Sequence, residues 1–171
     1  MSKIAQAREF IDNFPIQKIM VGDMDTEYKV LDNQSTSGNN KDSTPLLFVP
    51  GLRITMDMWP PTLLYDFAQS NYRVIVYNNR GTGNSSDGTK EYTIGQLASD
   101  AAGLLDVLGI GKAHILGWSM GSYIAEELAL LHPDKVSSLI LYGAGPGGDK
   151  AIPSSAELMQ TLGGVSGTPE E

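Results

Sequence analysis

Apolar positions follow two regimes along the chain. Ile4, Ala7, Phe10, Ile11 and Phe14 recur at helical spacing, which predicts a short amphipathic helix that stops before Pro15 and packs on the body of the protein. Two short runs follow, Gln17–Val21 and Glu27–Leu31. Gly22-Asp23-Met24-Asp25 joins them, and the pattern predicts an antiparallel hairpin. From Asp32 to Thr44 the chain is polar and reads as a long exposed loop.

From Pro45 onward the pattern changes to apolar runs alternating with helical segments, the signature of a parallel sheet with crossover helices. Leu46–Val49, Arg73–Tyr77, Ala113–Leu116 and Val136–Tyr142 are the predicted buried strands, dense in Val, Ile and Leu. Helices are predicted over Met58–Gln69, Ile94–Leu108 and Ser119–Leu131. Thr93 and Gln96 are spaced as a capping box at the start of the second, and Gly109 ends it. The tail from Gly143 to Glu171 is rich in glycine and proline around one short helical candidate, Ser155–Leu162. The chain therefore divides into a core, residues 1–148, and a segment 149–171 that reads as the opening of a lid or as a tail.

Composition narrows the function classes. A formal charge of −8 and a pI near 4.6 disfavour nucleic acid or an anionic membrane as partner, because each needs a basic face. The chain has no cysteine, and so no disulfide framework, thiol nucleophile or cysteine-ligated metal; neither a metal nor an organic cofactor is expected. No run approaches the length of a membrane span, and charges run through the N-terminus where a signal peptide needs an apolar core. The expectation is a cytoplasmic protein.

The chemistry centres on Gly117-Trp118-Ser119-Met120-Gly121. A strand pattern precedes this pentapeptide and a helix pattern follows it, the context that a nucleophile elbow requires, with Ser119 exposed at the C-terminal edge of the sheet. Glycines two before and two after the serine are expected because a strained turn brings backbone close on both sides. A general base is harder to find. His132 lies thirteen residues along the helix that Ser119 begins, about 20 Å away, and His114 lies five strand residues before it, about 16 Å down the strand. Neither histidine reaches Ser119. Asp87, Asp106, Asp134 and Asp149 have no placed histidine to orient and are read as structural or solvated. Arg80 either contacts an anionic substrate or hydrogen-bonds neighbouring carbonyls. Trp118 beside the serine is a pocket candidate, and Trp59 is read as helix packing.

Taken together, these segments resemble the α/β-hydrolase fold superfamily from about Gln17 to Gly148. Val49-Pro50-Gly51-Leu52 is similar to the family's oxyanion loop, with Pro50 where histidine is usual. Tyr77-Asn78-Asn79-Arg80-Gly81-Thr82-Gly83-Asn84-Ser85 is similar to its Asp-x-Arg-Gly-x-Gly-x-Ser loop, with Asn78 where aspartate is usual, a departure that concerns loop scaffolding. Glu91–Ile94, Leu104–Gly109 and His132–Val136 also fall where the family has similar segments. The resemblance implies an α/β fold: a mostly parallel sheet with helices on both faces, carrying about six of the family's eight strands and truncated before the last ones.

It further implies that Ser119 is the nucleophile and that the amides of Leu52 and Met120 form the oxyanion hole. Gly51 and Trp118 would line the pocket for a small acyl substrate: an ester, lactone or amide. The family's acid and histidine follow its later strands, so this chain presents a nucleophile without its base, and weak or no activity on its own is expected. The alternatives are a binding module that keeps the pocket, and an interaction protein. In the latter, Val136–Tyr142 as an open sheet edge captures a second copy or a complementing C-terminal fragment.

Overall fold

A computed structural model describes residues 1–32, 43–146 and 155. Ser2 caps helix α1 (Lys3–Asp12), its hydroxyl accepting from the Ala5 amide at 3.3 Å. Strands β1 (Gln17–Val21) and β2 (Met24–Leu31) form the hairpin, with Val21 opposite Met24. The turn is thus only Gly22-Asp23, and β2 starts three residues earlier than the sequence predicts. Gly22 has φ 59°, which supplies the left-handed first position that a two-residue hairpin turn demands.

The parallel part begins with β3 (Thr44–Val49) and continues through α2 (Pro61–Gln69), β4 (Tyr72–Tyr77), α3 (Ile94–Val107), β5 (Ala113–Trp118), α4 (Met120–Leu131) and β6 (Val136–Tyr142). The helix predicted from Met58 is two pieces, a 3-10 turn over Met56–Met58 and then α2. Pro61 occupies the first turn of α2, where its missing N–H costs nothing. The capping box of α3 is half made. The Thr93 hydroxyl accepts from the Gln96 amide at 3.1 Å, but the Gln96 side chain turns to Asp100 at 2.8 Å.

The six strands lie in the order β1-β2-β4-β3-β5-β6. The β1/β2 and β2/β4 pairs are antiparallel; β4/β3, β3/β5 and β5/β6 are parallel. Alternation along the strands sorts side chains to two cores. Leu47, Val49, Ile75, Tyr77 and Ile115 face α3 and α4, and Leu46, Phe48, Val74, Val76 and Leu116 face α1 and α2. Helices therefore cover both faces. β3, β4 and β5 read as continuous apolar runs because each is buried on two sides, each large side chain contributing about 1.5–3 kcal/mol; β6, predicted as a buried strand, is instead mostly exposed, because it is the end strand of the described sheet. Phe10, Ile11 and Phe14 fasten α1 to the second core, with Phe10 edge-on to Tyr65 at 5.3 Å.

The predicted loop from Asp32 to Thr44 lies largely outside the described residues, as do Asp149 and the helical candidate Ser155–Leu162 apart from Ser155. No helix among the described residues is long and apolar enough to cross a membrane.

Candidate functional site

Ser119 stands between the last residue of β5 and the first of α4 with φ 55° and ψ −122°, a conformation that non-glycine residues rarely adopt. The strain is held by bonds on both sides. The Ser119 amide donates to the Tyr142 carbonyl at 2.8 Å, and the Ser119 carbonyl accepts from the Ser122 amide at 2.9 Å. The buried Ser122 hydroxyl is shared between the carbonyls of Gly117, at 2.8 Å, and Tyr142, at 3.0 Å, tying the elbow to β6.

Both glycines have the steric reason expected of them, and each meets a different element. A Cβ on Gly117 would overlap the Gly121 carbonyl and come within 2.7 Å of the Ser122 Cα, blocking the first turn of α4. A Cβ on Gly121 would overlap the Val49 carbonyl and come within 2.9 Å of the Pro50 oxygen, pushing α4 off the end of β3.

That close approach brings the loop after β3 to the serine. A Cβ on Gly51 would lie 3.3 Å from the Ser119 Cβ and 3.0 Å from the Trp118 carbonyl, so Gly51, Trp118, Ser119 and Met120 are neighbours. Leu52 follows with its side chain exposed. Among the described residues, neither the Leu52 nor the Met120 N–H has a backbone acceptor. Trp118 is half-buried and packs on Trp59 with ring centroids 5.5 Å apart. Trp59 is buried against Phe48 at 4.9 Å, the packing role read for it. A cavity of about 350 Å³ is lined by Arg8, Lys29, Met56, Trp59, Leu64 and Val76, among others. None of Ser119, Gly51, Leu52, Trp118 or Met120 borders it.

Both histidines sit where the strand and helix arithmetic put them. His114 Nδ1 pairs with the Ser138 hydroxyl at 2.6 Å and its ring faces Tyr72, while His132 caps the far end of α4. Neither bonds to Ser119. Asp106 forms an exposed ion pair with Lys135, and Asp134 lies in the 3-10 turn Pro133–Lys135, beyond the far end of α4 from Ser119.

Around the loop after β4 gather acids that sequence reasoning missed, Asp23 of the hairpin turn, Glu27 of β2 and Asp100 of α3. Arg80 is almost fully buried. Its guanidinium forks onto Asp100 of α3 at 2.7 and 2.9 Å, reaches Asp23 of the hairpin turn at 3.2 Å, and donates to the Asp87 and Lys90 carbonyls. The carbonyl role considered for Arg80 is thus present, with two carboxylates besides. The paired Asp100 raises the Arg80 pKa further. Donors from the Thr89 backbone and hydroxyl, aided by Arg80, hold the Asp23 carboxyl well below the usual range.

Glu27 is the third of these acids. Burial pushes its carboxyl up, but donors from the Asn84 side chain and amide and from the Asn78 side chain outweigh this and leave it lowered. Apart from Gln96, four residues before Asp100, the partners of these acids stand 20 to 67 residues away in sequence, so no local motif marks the acids. Among the described residues no group of three His, Cys, Asp or Glu side chains could hold a metal ion.

Comparison with known proteins agrees with this architecture. Residues 44–168 match the family model described as alpha/beta hydrolase fold. A 2-hydroxy-6-oxononadienedioate/2-hydroxy-6-oxononatrienedioate hydrolase of Burkholderia vietnamiensis is 40% identical over 98 residues, covering 56% of this chain and 34% of the relative. Rhodomycin D methylesterase of a Streptomyces species is 33% identical over 131 residues, covering 73% of this chain and 43% of the relative. The crystal structure of the enol-lactonase from Burkholderia xenovorans superposes with a TM-score of 0.63 at 28% identity, covering 72% of this chain and 45% of that one. The chain thus spans less than half the length of these relatives.

Proposed function

Because the chain belongs to the alpha/beta hydrolase fold family, we propose that it carries the nucleophile and oxyanion half of a serine hydrolase site acting on a carboxylic ester, lactone or amide through an acyl-enzyme. The observation that carries this reading is the strained Ser119 with Gly51 packed against it. In the proposed reaction the Ser119 hydroxyl attacks the carbonyl carbon. The oxygen that becomes anionic is held by the Met120 amide, at the positive end of α4, and by the Leu52 amide. Gly51 leaves room for the carbonyl, and Trp118 offers an apolar wall beside it.

Proton transfer needs a histidine and an acid that neither His114 nor His132 supplies. In this reading they come from a complementing C-terminal segment docked on the edge of β6. Tyr142 is 68% exposed there and Ile140 is 44% exposed. Without them the oxyanion donors and binding alone leave about 10³–10⁴-fold acceleration over water.

The test is intact-mass analysis of the folded chain after exposure to a fluorophosphonate, beside Ser119→Ala. A single adduct on the wild type that the variant lacks is the expected result if a base reaches Ser119. An unreacted wild type that regains labelling when a C-terminal segment is added supports the split-site reading. Failure in both settings overturns it.

A second reading rests on the exposed β6 edge: a non-catalytic module that uses the open strand for association. A monodisperse monomer in sizing experiments counts against it.

A further inference from the structure

We propose that Asn78 and Asn79 are positioning residues that clamp both ends of the 50–56 loop, and that asparagine at position 78 is dictated by Glu27. The proposal builds on the reading of the Leu52 amide as an oxyanion donor, because Leu52 lies inside that loop.

The two side chains leave consecutive positions at the end of β4 and bind opposite ends of the loop. The Asn79 Nδ2 donates to the Pro50 carbonyl at 3.2 Å, and the Asn78 Oδ1 accepts from the Met56 amide at 2.7 Å. Both asparagines are buried. Between the anchors the Ile54 amide donates to the Gly51 carbonyl at 3.3 Å, and Arg53 sits at φ 58°. Oxyanion donors act by being fixed in advance where charge develops, so loop wander lowers their effect even when the loop stays folded.

Asn78 is itself oriented. Its Nδ2 donates to Glu27 Oε2 at 2.5 Å, and its carbonyl accepts from the Ser85 hydroxyl at 2.9 Å. Position 83 must be glycine for the amide to fit, since a Cβ there would overlap the Asn78 Nδ2. The site therefore needs one group that accepts from Met56 and donates to a carboxylate. An amide does both. An ionised carboxyl at 78 can still accept from Met56 but would face Glu27 charge to charge. Lys18, opposite Glu27 on β1, is a cation whose charge favours ionised Glu27, and the other groups that hydrogen-bond Glu27, Asn84 and the Ser85 hydroxyl, are neutral.

The test compares Asn78→Asp with Glu27→Gln/Asn78→Asp by amide hydrogen exchange, each against wild type at the same pH. In Asn78→Asp near neutral pH, repulsion from Glu27 turns the introduced carboxylate away from the Met56 amide, so the peptide spanning residues 50–58 exchanges at least about tenfold faster, the effect of one lost buried hydrogen bond, while α3 peptides keep their rates. The difference shrinks on acidification, once the two carboxyls share a proton. In the double variant the side-chain amide introduced at position 27 donates to the carboxylate introduced at position 78, at the cost of the Asn84 backbone contact, and brings exchange back to within about threefold of wild type.

Unchanged exchange over 50–58 in Asn78→Asp overturns the proposal, as does acceleration that Glu27→Gln fails to reverse. If α3 also exchanges fast, the variant has unfolded and Asn79→Ala decides. It leaves the Glu27 network intact, and it must loosen 50–58 alone for the proposal to stand. Exchange reads the clamp whether or not Ser119 reacts. If exchange follows this order while fluorophosphonate never labels Ser119, the clamp holds and the hydrolase reading fails.

Discussion

The elbow at the end of β5 and the loop after β4 occupy nearby strand ends, separated only by β3, yet they keep their shapes by opposite means. The elbow is shaped by missing side chains: Gly117 and Gly121 let α4 sit against β3, and backbone bonds from Ser119 and Ser122 hold the strained turn. The other loop is shaped by side chains, with a buried guanidinium between two carboxylates and an asparagine wedged on a glutamate. Steric exclusion is short-range and independent of pH. A charge network is long-range, responds to pH, and fails badly when one member is removed.

The contrast is tested most severely at Arg80. Replacing it with Met leaves Asp100 buried without its partner and should cost about 3–5 kcal/mol in denaturant unfolding, while Arg80→Met/Asp100→Leu should recover most of the loss. A single variant costing no more than a surface change would mean that the network contributes little. On the elbow side, Gly121→Ala drives a methyl into β3 backbone and should cost about 1–3 kcal/mol, read from the shift in urea midpoint at constant slope. An unchanged midpoint would mean that α4 can slide away from β3 freely.

Ser119→Gly is the opposite kind of change. It relieves the positive φ and should raise stability by up to about 1 kcal/mol, whereas Ser119→Ala keeps the strain and should be near neutral. Equal stability of the two variants would mean that the turn stores no strain.

The smallest effect concerns pH. Asp23 and Glu27 both have lowered carboxyls, so their contribution is present above the ordinary carboxylate range and is lost as pH falls through the lowered values. Urea midpoints should fall on acidification below about pH 4, with a shallower fall in Asp23→Asn. An identical pH profile in the variant would remove Asp23 from the acid response.

Much of the frame was legible because its causes are local. Apolar runs and helical spacing marked the six described strands and the four described α-helices; burial on both faces left that pattern in β3, β4 and β5, whereas β6 carries an apolar run and is mostly exposed. The Gly-Trp-Ser-Met-Gly string marked the elbow because crowding there acts on residues two positions away. Even the failure of His114 and His132 to reach Ser119 follows from rise per residue. The misplaced boundaries, Met24 for β2 and Pro61 for α2, came from turns whose length depends on one φ angle and one proline ring.

What tertiary structure alone decided is which distant groups meet. Arg80 with Asp23 and Asp100, Glu27 with Asn78 and Asn84, and Asn79 with the Pro50 carbonyl are polar contacts between segments that come together only once the sheet order is set. A sequence records propensity and periodicity residue by residue. The pairing of a buried charge with its partner is a property of the assembled chain, because burial itself creates the need for the partner.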